Sequence, residues 1–139
     1  MNLSPDMQKR FTDEVHFVVK SMKDTNTPAE KLYFLSAGYA MAQRIINLEY
    51  EPELNFIQQV LQLVYNTVNA RLRAISAGQE GGISIPDGLF DSLEEALEEM
   101  VDRIEQGAET YPALQKMVNL AYSTTGNGYY LYLKGMLTV

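Results

Sequence analysis

The sequence predicts an all-α protein, an irregular bundle of about five helices with a long central helix over residues ~52–77 and a buried second helix. Three observations carry this reading. Apolar residues recur at spacings of three and four along most of the chain, the period of a helix and not of a strand. Proline opens four of the periodic stretches, at Pro5, Pro28, Pro52 and Pro112, where its missing N–H does no harm. Finally, 139 residues of which 46% are hydrophobic and 21% charged suffice for one core and are too apolar for disorder, so residues 1–139 read as a single helical domain.

Helix 1 is expected from about residue 5 to 23, with Ser4 as N-cap and one apolar face made of Met7, Phe11, Val15, Val18 and Met22. Helix 2 restarts at Pro28 behind Thr27, with Glu30 at the capping-box distance, and runs to about Leu48. It carries two apolar lines, Leu32, Leu35, Tyr39, Ala42 and Ile46, and Phe34, Ala37, Met41, Ile45 and Leu48. A helix apolar nearly all round is expected to be buried. The stretch "EYEPEL" ends it, placing Glu51 and Glu53 at the positive end of helix 3. Helix 3 presents Leu54, Ile57, Leu61, Val64, Val68, Leu72 and Ile75, and its alternating three-and-four spacing is that of a packing seam.

"SAGQEGGISIPDG" follows as the one long loop, with Gly78 as the helix terminator. Helix 4 covers about residues 89–106 and stops at Gly107, and helix 5 begins near Tyr111 with Leu114, Met117, Val118, Ala121 and Tyr122 on one face. After "STTGNG" the stretch "YYLYLKGMLTV" has no clear period; a short helix is favoured, and its aromatic content also suits a strand. No solenoid repeat is visible.

Charge is distributed unevenly. Of the net −7, residues 80–109 hold ten acidic side chains against Arg103 alone, which leaves the rest of the chain slightly positive. With no basic patch interleaved with aromatics, nucleic acid is not an expected partner. No stretch reaches the ~18 uninterrupted apolar residues of a membrane span. The uncharged residues 54–70 come nearest, but are rich in amides. The opening "MNLSPDMQKRFTDE" lacks the apolar core of a secretory signal, so no membrane partner and a cytoplasmic location are expected.

Few chemistries have support. The chain has no cysteine, which removes disulfides and thiolate metal sites, and its single histidine, His16, falls on the polar side of helix 1 beside Lys9, Asp13, Lys20 and Lys23. Zinc and di-iron bundle sites need more ligands than that. No G-x-S-x-G is present, and "GQEGG" and "GNG" lack the ending of a phosphate-cradling loop and read as turns. On helix 4, Phe90, Leu93, Leu97, Met100, Val101 and Ile104 oppose Asp91, Glu94, Glu95, Glu98, Glu99, Asp102 and Glu105, the pattern of an amphipathic surface helix. Within that acid face, Glu95 with Glu98 and Glu99 with Asp102 spell E-x-x-E and E-x-x-D, similar to the pairs that hold magnesium in all-α nucleotide pyrophosphohydrolases. That family draws its pairs from different helices; here both fall on one. A magnesium-dependent hydrolase using these carboxylates is therefore the alternative reading, and no cofactor or metal is expected in the favoured one.

Helix 3 carries an unusual stripe beside its apolar half: Gln58, Gln62, Tyr65 and Asn69, flanked by Asn55, Gln59 and Asn66. Charge is depleted at interface centres because desolvating it is costly, whereas amides and tyrosine pair across a contact. The stripe is either a contact surface or is packed by the tyrosine-rich tail. The favoured expectation is a non-enzymatic protein–protein interaction or scaffold module that forms a dimer through helix 3 and accepts a further protein partner.

Overall fold

In the computed structural model, residues 1–78 and 85–125 are described, and the expectation of a helix or strand within residues 129–139 lies outside them. The described chain forms α1 (Pro5–Asp24), α2 (Pro28–Leu48), α3 (Pro52–Ser76), α4 (Leu89–Glu105) and α5 (Tyr111–Tyr122). The architecture is all-α, with α3 the longest element at 25 residues.

The ends fall where local chemistry puts them. Ser4 Oγ accepts from the Met7 N–H at 3.4 Å, and Thr27 Oγ1 accepts from the Glu30 N–H at 3.2 Å. The Glu30 carboxylate closes that box differently from the usual pattern, accepting the Thr27 hydroxyl proton at 2.9 Å. Glu51 caps α3 with its carboxylate, which accepts from the Leu54 N–H at 2.9 Å. Gly107, at φ +71°, lets the chain turn back at the end of α4, where Gly107 N–H and Ala108 N–H donate to the Ile104 and Arg103 carbonyls.

Packing closes these helices into a ring. α1 rests on α2 and α4, α2 on α3, α3 on α5, and α5 on α4. Three neighbours are antiparallel hairpins joined by the short connections 25–27, 49–51 and 106–110. α1 and α4 also run antiparallel, since His16 faces Glu105 while Lys23 faces Glu98. A ring of five helices cannot alternate in direction all the way round, so one neighbouring pair must be parallel. That pair is α3 and α5, whose first turns lie side by side: Phe56 packs on Tyr111 with ring centroids 5.4 Å apart, and Thr110 Oγ1 donates to Glu53 Oε2 at 3.1 Å.

The middle of the ring is filled by the stripes read from the sequence, including Phe11, Met22, Leu35, Leu54, Leu61, Leu93, Met100 and Leu114, all essentially inaccessible to water. Each side chain of this size stabilises the fold by roughly 1.5–3 kcal/mol on burial. The buried face of α2 is narrower than its composition implies. Leu32, Leu35, Gly38, Ala42 and Ile45 are buried, Phe34, Met41 and Ile46 half-buried, and Tyr33 and Leu48 exposed. The cause is geometric: a ring helix has the core in front and one neighbour on each flank, which leaves an outer face whatever residues occupy it.

Candidate functional site

The α3 stripe divides into inward and outward parts. Gln58 is buried, and its Nε2 donates to Gln62 Oε1 at 3.1 Å, one turn along the same helix. Tyr65 is half-buried and sets its ring edge-on to Tyr39 of α2 at 5.6 Å, which places the stripe on the α2 side of α3. Gln62 is exposed and Asn69 half-buried, and beside them Gln59 and Asn66 face solvent. Gln58 and Tyr65 thus serve the fold, while Gln62 and Asn69 stand farther out on the α2 side of α3.

On α4 the acid face is tied to cations from three other helices. Lys23 Nζ of α1 lies 2.6 Å from Glu98, Lys116 Nζ of α5 lies 2.8 Å from Glu99, and Lys31 Nζ of α2 lies 3.4 Å from Glu94. Glu99 also takes Arg103 Nε at 3.2 Å, and His16 Nε2 stands 3.1 Å from Glu105 Oε1, so the histidine has a partner. The Lys116 hydrogen bond, with help from Arg103, holds the Glu99 carboxyl below the usual glutamate range.

Glu94 corrects the sequence reading. Assigned there to the wet side, it is 3% exposed, covered by the start of α2. Burial pushes its carboxyl above the usual range, and the attraction of Lys31 opposes that rise without cancelling it. The same lysine donates to the Met22 carbonyl at the end of α1. The signal for this was faint: Glu94 directly follows Leu93 and borders the core stripe, but only packing reveals that a neighbouring helix overhangs it.

Two shallow grooves flank α4. One, of about 270 Å³, is lined by His16, Lys20, Lys23, Asp24 and Glu98; the other, of about 310 Å³, by Ser92, Glu95, Glu99, Lys116 and Asn119. Glu98 and Glu99 are committed to ion pairs there, and the E-x-x-E and E-x-x-D pairs stay on a single helix; among the described residues the other carboxylate lining the Glu98 groove is Asp24 of α1, beside Lys20 and Lys23. Among the described residues no three His, Asp or Glu side chains converge as a metal-binding group. No described helix is long and apolar enough to cross a membrane.

A second feature stands out on the surface. Phe17, Tyr33, Leu48, Tyr50, Phe56, Ile75, Tyr111 and Tyr122 are exposed, and Tyr33 and Leu48, both on α2, are among the most exposed at 70% and 74%. Sequence reasoning missed this because it took the apolar circumference of α2 as a sign of burial. Comparison with known proteins adds no name to these surfaces: the chain matches no family model, and no curated protein and no solved structure was found similar to it.

Proposed function

We propose that this chain is a non-enzymatic interaction or scaffold module that self-associates, acting in the cytoplasm with itself and with protein partners. The observation that carries the reading is the contrast between its two kinds of surface. The carboxylates Glu94, Glu98 and Glu99 are paired with lysines of the fold itself, whereas large apolar side chains on α1, α2, α3 and α5 are left facing water. Contiguous exposed apolar patches mark contact surfaces, and Phe17, Phe34 and Tyr33 form one, ring against ring. The outward amides Gln62 and Asn69 fit the edge of such a contact, since they can pair across it without the cost of desolvating charge. With a net charge of −7, the chain repels nucleic acid and anionic membranes.

Light scattering at tens of micromolar should give the mass of a dimer or higher oligomer, and incubation with a nucleotide panel and magnesium should release no phosphate or pyrophosphate. A monomer at that concentration overturns self-association. Magnesium-dependent release abolished by Glu95→Gln with Asp102→Asn would replace this reading by that of a hydrolase using the α4 carboxylates.

A further inference from the structure

Along the outer face of α2, Tyr33, Ala37, Ala40, Arg44 and Leu48 follow one another at helical spacing. Tyr33, Arg44 and Leu48 are exposed and the two alanines half-buried. On the α1 side Phe34 and Phe17 extend the strip, their rings edge to face at 6.5 Å; on the α3 side it is bordered by Ser36, Gln43 and Asn47 of α2 itself, and Gln62 and Asn69 of α3 lie beyond them. The large groups therefore stand at the two ends and the small ones in the middle.

We propose that this face is the self-contact: two copies pack α2 against α2, antiparallel, about a two-fold axis near Ala40. The inference rests on the self-association reading and names its surface. It commits to a second copy because the strip is complementary to itself. With the axis between Ala40 and Met41, Tyr33 of each copy meets Leu48 of the other, and the two most prominent apolar groups of α2 are covered twice over, as an isologous contact requires. The alanines let the helix axes approach in the centre. Arg44 falls opposite Ala37, within reach of the partner's Tyr33 ring, a suitable site for a cation–π contact.

Charge and size agree with this occupant. α4 packs between α1 and α5, two places round the ring from α2, so pairing through the outer face of α2 leaves the exposed Asp91, Glu95 and Asp102 of α4 outside the contact. The 21-residue α2 is about 31 Å long at the helical rise, and the flanking aromatics widen the strip to ~15–20 Å. The result is on the order of 500–600 Å² per copy, about 1,000–1,200 Å² in total, the low end for a specific interface. Gln62 and Asn69 then form the polar rim of a contact whose centre is α2.

The test uses the full chain and charge exchange. Tyr33→Glu alone and Leu48→Lys alone should each weaken the dimer at least ~10-fold by sedimentation equilibrium, because each buries unpaired charge twice. The double variant Tyr33→Glu with Leu48→Lys should recover dimerisation to within ~3-fold, as each glutamate meets the partner's lysine. Gln62→Glu with Asn69→Glu should weaken it by less than either single change. As the chain has no cysteine, Ala40→Cys should give a disulfide-linked dimer on mild oxidation while Glu95→Cys should not. A dimer indifferent to both single changes, or singles that weaken it without rescue in the double, overturns the α2 contact and leaves self-association standing. A monomeric unmodified chain overturns both, and assigns the strip to another occupant, such as residues 126–139 or a different protein.

Discussion

Lys31 lies where three helices meet. It stands near the start of α2, donates to the Met22 carbonyl in the last turn of α1, and pairs with the buried Glu94 of α4. Removing one member of a buried pair leaves the other charged and unsatisfied, so Lys31→Met should cost about 1–3 kcal/mol at neutral pH. Adding Glu94→Leu should return part of that loss. The pH dependence has a definite sign. Because burial lifts Glu94 above the ordinary glutamate value, the folded chain binds this proton more firmly than the unfolded chain, and the group's favourable contribution is lost as pH rises through the interval up to the raised value. Relative to Glu94→Gln, the unmodified protein should therefore lose stability in urea unfolding as pH rises through and above the ordinary glutamate range. Glu99→Gln should give the opposite slope, since Lys116 and Arg103 depress Glu99 and its contribution is lost as pH falls. A flat difference for Glu94→Gln across that range would show that the pair stays ionised throughout. None of this is legible in the order of residues, because the environment of Glu94 is made by a helix more than sixty positions away.

At the level of elements, α2 separates what periodicity reveals from what it conceals. Its beginning was legible because Thr27, Pro28 and Glu30 act on one another within a single turn. The lines of α1, α3 and α4 were legible because their polar faces show which side meets water. α2 has no such face, so its sequence could not say which apolar line turns inward, and the inward one, with Leu35, Ala42 and Ile45, was not distinguished from its neighbours. Alanine substitutions expose the difference. Leu35→Ala opens a cavity in a fully packed core and should cost about 2–5 kcal/mol, whereas the half-buried Ile46→Ala should cost about 1 kcal/mol. Urea midpoints for the two variants decide it; equal losses would mean that the burial of α2 reaches right round to Ile46. The candidate stripe of α3 was likewise half legible: its amides are plain to see, but only the Tyr39–Tyr65 contact tells which of them are spent within the fold.

For the whole molecule, the ring has a consequence in time. α1, α2 and α3 are successive hairpins, each able to pack on the last as soon as a short connection turns, and so are α4 and α5. The two groups meet along two seams remote in sequence: α1 with α4 through His16–Glu105 and Lys23–Glu98, and α3 with α5 through Thr110–Glu53. A closed ring cannot lose one seam and keep its core dry, so the seams should open together. Native-state hydrogen exchange should then show the amides of α4 and α5 exchanging as one unit, at a free energy below that of α1, α2 and α3. Exchange of α1 in company with α4, or a single free energy for all five helices, would show that the ring opens only by unfolding entirely. The parallel pair is what makes this hierarchy necessary, for α5 can lie beside α3 only after α4 has carried the chain back across the bundle: the last strut to be seated is the first that can be lifted out.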